Sequence, residues 1–116
     1  MDLAAKLQLK PHQHLEIVPA SASVPPAIGD LGHSDESGSG VLIFVGDRAA
    51  LEQHRRHIVE AASEDRLTWV AYPKAGQLGT DLNRDSLASL LTASGVQPVR
   101  QISIDDVWSA LRFRAG

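Results

Sequence analysis

The sequence predicts a single α/β domain, residues 1–116, built on a mostly parallel sheet. Three observations carry that expectation. Val41-Leu42-Ile43-Phe44-Val45 is a continuous apolar run with no polar alternation, the pattern of a strand covered on both faces. The stretch 67–95, LTWVAYPKAGQLGTDLNRDSLASLLTASG, sets a strand, a polar turn and a capped helix in unbroken succession. With 116 residues, 43% of them apolar, the chain can fill one core but not a core plus an elaborate second lobe.

Taken in order, Leu3, Ala4 and Leu7 suit a short amphipathic helix that ends before Pro11, because a residue preceding proline is pushed out of the helical region. Residues 14–18 alternate, with Leu15 and Ile17 on one face and Glu16 on the other, as in a half-exposed or edge strand. Residues 20–40 are rich in Ser, Gly, Pro and Ala. Within them HSDESGSG, 33–40, has little to bury and is expected to be a mobile loop. After the strand at 41–45, Gly46-Asp47 makes a turn. Asp47 is placed to cap a helix reaching about residue 62, on which Leu51, His54 or Arg55, Ile58 and Ala62 share a face.

Leu67, Trp69, Val70 and Tyr72 form the next strand, ended by Pro73. Lys74 to Gly79 is a turn whose two glycines, Gly76 and Gly79, permit backbone angles closed to other residues. Thr80, Asp81 and Asn83 are alternative N-caps for a helix with Leu87, Leu90 and Leu91 as its apolar stripe and Gly95 as its terminal cap. Strand, helix, strand, helix in this order implies right-handed parallel crossovers. Residues 99–104 and 108–114, separated by Asp105-Asp106-Val107, alternate at spacing two and read as a closing antiparallel hairpin.

The motifs KLQLKPHQHLEIV, LTWVAYPK, TDLNRD and ISIDDVWSALRFR together resemble a family of small, mainly bacterial proteins catalogued as a domain of unknown function. That resemblance covers most of the chain and implies a fold without an activity. The architecture also looks like a trimmed class I methyltransferase, with a K-P-x turn ahead of the first strand and a final hairpin formed by the G-x-x-P-V and D-W-S-A-L-R-F type segments. This second resemblance implies a Rossmann-like five-stranded sheet of order 1-2-3-5-4, its last strand antiparallel, with helices on both faces. Two departures stand out. Pro19-Ala20-Ser21-Ala22-Ser23 replaces the Gly-rich loop after the first strand, and no second strand brings an acidic residue for a ribose. No S-adenosylmethionine, and no other cofactor, is therefore expected.

Composition narrows the function classes. A formal charge of −3 leaves no basic footprint for nucleic acid, and no run of about 18 apolar residues offers a membrane span. Cys is absent, which removes thiolate chemistry and is compatible with a reducing, cytoplasmic setting. His12 with His14, and His54 with His57, are too few for zinc, which needs three or four convergent ligands, so no metal site is expected. No Ser-His-Asp order, P-loop or nucleophile elbow appears. Trp69 and Trp108 sit at strand positions that favour core over a ligand wall.

In an open α/β sheet, ligands lie beyond the carboxyl ends of the strands. That rule gathers Ser21, Ser23, Asp47, Lys74 and Asp105-Asp106. Lys74, Asn83 and Arg84 are suited to an anion, aided by the amides and positive end of the helix starting near Asn83. With Gly76, Asp81, Asp105 and Asp106 they make up the candidate ligand site. The same residues also have plain structural uses: Lys74 pairing with Asp105 or Asp106, Asp81 or Asn83 capping, and the two aspartates in a solvated turn. The function expected is a non-catalytic binding or regulatory module for a small anionic ligand or a partner protein. The alternative is a small enzyme, a degenerate transferase or hydrolase, using Lys74 with Asp81, Asp105 or Asp106. A homodimer through the edge strand at 14–18 is the third possibility.

Overall fold

The apolar runs do form adjacent strands. The computed structural model describes Leu7 and residues 15–18, 40–74 and 81–116. The segment expected to form an N-terminal helix, apart from Leu7, residues 33–39 of the expected loop, Ser21, Ser23, Gly76, Gly79, Thr80, His12 and His14 lie outside the described residues. Strands β2 (Gly40–Phe44) and β3 (Leu67–Pro73) pair in parallel, with Phe44 opposite Ala71. Strand β5 (Trp108–Ala115) runs antiparallel to β3, and β4 (Val96–Ser103) antiparallel to β5. A four-residue strand, β1 (Leu15–Val18), pairs in parallel with the outer side of β2, so the order is β1-β2-β3-β5-β4.

The Rossmann-like, mostly parallel sheet with helices on both faces is not what forms. Half of the strand junctions are antiparallel, which makes the sheet mixed. The four strands with described side chains follow the order β2-β3-β5-β4. Both described helices, α1 (Arg48–Ser63) and α2 (Arg84–Thr92), pack on a single face. The reason is the direction of stepping. Helix α1 leads from β2 to β3, and α2 leads from β3 past β5 to β4, which is again parallel to β3. Right-handed crossovers that step the same way across a sheet put their helices on the same side. A doubly wound fold needs the stepping to reverse, and here it does not.

Alternation along each strand sorts the core into two layers. Val41, Ile43, Val70, Tyr72, Leu111 and Phe113 meet Leu51, Ile58, Ala61 and Ala62 of α1 and Leu87 and Leu91 of α2. Leu42, Phe44, Trp69, Ala71, Trp108 and Ala110 point the other way, with Leu7 and Ile104 packed among them. Both tryptophans are thus core residues. The Phe44 and Trp108 rings meet edge to face at 5.0 Å and 77°. The Trp69 indole N–H donates to the Leu7 carbonyl at 3.1 Å.

The caps follow from side-chain chemistry. The Asp47 carboxylate accepts the Ala50 amide at 2.8 Å and starts α1. Of the three candidates for α2, Asn83 is the cap. Its side chain accepts the Ser86 amide at 2.9 Å while the Ser86 hydroxyl accepts the Asn83 amide at 3.0 Å. Gly95, at φ 98°, turns the chain from α2 into β4, a conformation that suits glycine. Among the described residues, no helix is long and apolar enough to cross a membrane.

Helix α1 also makes stability depend on pH. Burial first, and the neighbouring His57 second, hold the His54 pKa below its ordinary 6.5. The folded state therefore disfavours the His54 proton that the unfolded chain accepts. Stability is full above pH 6.5 and falls as the pH drops below it. His54→Gln is expected to flatten this acid limb, read as the difference between wild-type and variant urea midpoints on either side of that pH.

Candidate functional site

At the carboxyl end of β3, Tyr72 and Lys74 share the parity of Val70 and so fall on the helical face. Register supplies the rest. Ser109 of β5 lies opposite Tyr72, and Ser103 of β4 lies opposite Ser109, with Gln101 two residues away on the same side. Above them the start of α2 brings Asn83, Arg84 and Asp85. These groups, with Ile102, line a cleft of about 630 Å³.

Tyr72 is the floor of the cleft. It is 2% exposed, and its hydroxyl oxygen accepts a hydrogen bond from Gln101 Nε2 at 3.0 Å. Burial raises its pKa above the ordinary 10.0, against the opposing effects of the Arg84 charge and of hydrogen bonds from Ser109 and Gln101; Asp85 adds to the rise. The phenol is therefore neutral and a hydrogen-bonding group at physiological pH. As the chain has one tyrosine, its ionisation is read directly from tyrosinate absorbance. Arg84→Ala, which removes a positive neighbour, is expected to move that titration to still higher pH.

Two cations flank the floor. Lys74 Nζ donates to Ser103 Oγ at 2.9 Å, and the Ser103 hydroxyl donates to the Asp105 carbonyl at 3.2 Å. No carboxylate pairs with Lys74 among the described residues. Arg84 Nη1 stands 3.3 Å from Asp85 Oδ1, both side chains being largely exposed. In the first turn of α2 the Ser86 and Leu87 amides are taken by Asn83, which leaves the amides of Arg84 and Asp85 as the orphan donors of a helix start.

Of the candidate residues, the structure brings Lys74, Asn83 and Arg84 together, and Gly76 lies outside the described residues. The aspartates go elsewhere. Asp81 Oδ1 accepts the Arg48 amide at 2.9 Å and ties the approach to α2 onto the start of α1. Asp105 Oδ1 accepts the amides of Val107 at 2.8 Å and Trp108 at 2.7 Å, which is the work of a turn residue. Asp106 is exposed and does not line the cleft. The expected pairing of Lys74 with Asp105 or Asp106 is replaced by its bond to Ser103. No group of three His, Asp or Glu is arranged to hold a metal among the described residues.

Tyr72, Asp85, Gln101, Ile102, Ser103 and Ser109 are cleft residues that the sequence reading passed over. The usable signal was the hairpin. Pairing across Asp105-Asp106-Val107 sets Ser103 against Ser109, and β3 then sets Ser109 against Tyr72. No protein-family model and no curated protein matches the chain.

Proposed function

We propose that the protein is a non-catalytic binding module that holds an anionic group in the cleft between the start of α2 and the ends of β3 and β4. The observation that carries this reading is the pairing of Lys74 with a neutral hydroxyl rather than a carboxylate, across a ligand-sized cleft from Arg84. Pockets for small ligands run from about 300 to 1,000 Å³. Lys74 supplies a compact charge, Arg84 a planar fork suited to carboxylate or phosphate, and the orphan amides of α2 two further donors. Tyr72, Ser109 and Gln101 give the floor neutral hydrogen-bonding groups. Of the aspartates a catalytic reading would need, Asp81 and Asp105 are committed to backbone amides and Asp106 is exposed outside the cleft lining; Asp85, which the cleft does hold, stands against Arg84. We place the module in the cytoplasm, with which a chain lacking Cys is compatible.

Inorganic phosphate at neutral pH is the simplest probe. Millimolar phosphate is expected to shift the NMR signals of the Arg84 guanidinium, the Arg84 and Asp85 amides and the Gln101 side-chain amide, where chloride at matched ionic strength does not. The Lys74→Ala, Arg84→Ala double variant is expected to lose the response at the amides and at Gln101. A spectrum that phosphate leaves unchanged, or a response that survives the double variant, would end this reading.

A further inference from the structure

We infer that the anionic group is the phosphoryl end of a small polyhydroxylated phosphate monoester, to which the paired hydroxyls of Tyr72 and Ser109 donate from the floor of the cleft. This rests on the anion-binding reading above and names the ligand's class. Tyr72 and Ser109 lie opposite each other on β3 and β5, only 2% and 5% exposed, and their hydroxyls share one hydrogen bond. The phenol oxygen also accepts from Gln101. Two hydroxyl protons thus serve one bond, so one proton is left over whichever oxygen donates, and no described residue accepts it. A buried donor without an acceptor costs about 1–3 kcal/mol. Both residues line the cleft, which places a ligand oxygen to take that proton.

Donors reach the same space from three elements. The Lys74 ammonium at the end of β3 has three protons and the Ser103 hydroxyl takes one, so two remain among the described residues. Arg84 brings its planar fork from α2, with the orphan amides of that helix start beside it. Two cations suit a charge of about −1.5 to −2, which a phosphate monoester carries at pH 7 and a single carboxylate does not. Its three terminal oxygens also meet three separate sources of protons, where a carboxylate has two.

The rest of the lining selects the body of the ligand. Gln101 gives its amide nitrogen to Tyr72, which leaves its carbonyl oxygen as an acceptor. The Asp85 carboxylate, largely exposed beside Arg84, is a second acceptor. Acceptors next to an anion site repel a further anionic group and suit hydroxyls. Ile102 is the one aliphatic side chain in the lining among the described residues, and the Tyr72 ring is too buried to stack on a base, so a nucleobase finds no platform. At about 630 Å³ the cleft takes a whole small molecule and not a phosphoryl group alone.

The test is NMR titration of the full chain with ribose 5-phosphate, propyl phosphate, glucuronate and adenosine monophosphate at matched ionic strength. Ribose 5-phosphate is expected to bind about tenfold or more tightly than propyl phosphate, which lacks the hydroxyls, and than glucuronate, which offers a carboxylate. Adenosine monophosphate is expected to bind no more tightly than ribose 5-phosphate. The ring Cζ signal of the one tyrosine is expected to move with ribose 5-phosphate and to stay in place with chloride. Removing both hydroxyls at once, Tyr72→Phe with Ser109→Ala, is expected to weaken ribose 5-phosphate about tenfold, since either one alone still carries a proton. Equal binding by glucuronate or propyl phosphate, tighter binding by adenosine monophosphate, an unmoved Tyr72 signal or a double variant that binds unchanged, while inorganic phosphate still shifts Arg84, overturns this ligand class and leaves the anion site standing. Failure of both ribose 5-phosphate and inorganic phosphate to depend on Lys74 and Arg84 removes the two readings together.

Discussion

Trp69→Ala is expected to destabilise the fold by about 3–5 kcal/mol, the usual cost of deleting a large buried aromatic. Trp69 is fully buried in the layer away from the helices, beside Leu42, Phe44 and Ala71. Its loss opens a cavity between β2 and β3, where the sheet has no helix to settle into the gap among the described residues. It also leaves the Leu7 carbonyl without its indole donor. Trp69→Phe separates the two effects. It keeps most of the apolar volume and loses the N–H, so a cost of about 1–3 kcal/mol is expected from the unsatisfied carbonyl and the smaller ring. Urea denaturation of the three proteins decides the matter. A loss below about 1 kcal/mol for the alanine variant would mean that this layer does not hold the sheet together.

Asp105→Ala is expected to cost about 2 kcal/mol, although the residue is an aspartate near the surface. One carboxylate oxygen takes two backbone amides, those of Val107 and Trp108, and bonds to a charged acceptor are worth about 1.5–3 kcal/mol. The hairpin turn depends on them. The Val107 carbonyl accepts the Lys74 amide at 2.7 Å, and the Asp105 carbonyl accepts the Ser103 hydroxyl that holds the Lys74 ammonium. Loosening the turn therefore also loosens the cleft, and the phosphate response is expected to weaken in this variant. Asp105→Asn, which keeps an acceptor, is expected to be milder. Its neighbour Asp106 is exposed, so Asp106→Ala is expected to stay within about 0.5 kcal/mol of wild type. Similar losses at both positions would remove the special role assigned to Asp105.

The sequence exposed the parts of this fold that are local. The uninterrupted run at 41–45 marked a buried strand, and Asp47 and the Asn83 alternative marked helix starts through residues a few positions apart. Lys74, Asn83 and Arg84 were legible as neighbours because a strand end and a helix start lie only a few residues apart in the sequence. The arrangement of the helices was not legible, since a covered strand looks the same whichever element covers each side. What put α1 and α2 on one face was the common direction of two crossovers, and that is a property of the whole sheet. The start of β4 at Val96 was hidden by Pro98, which the register break accommodates. Carboxylates misled for a different reason: Asp81 and Asp105 have the chemistry of a site, but backbone amides had already claimed them.

The insertion of β5 between β3 and β4 bears on how the molecule is made. A ribosome delivers β3, α2 and β4 before Trp108 emerges, so during synthesis β4 lacks the one strand it pairs with among the described residues and β3 lacks one of its two. At some 5–20 residues per second, that interval lasts about a second or less, and closure of the sheet must await the last strand of the five. Truncating a nascent chain within β5 would leave both bare edges facing solvent, each a template for another chain. Trp108, which opens β5, thus carries an assembly role beyond its packing against Phe44: its arrival lets β3 and β4 zip onto a common partner.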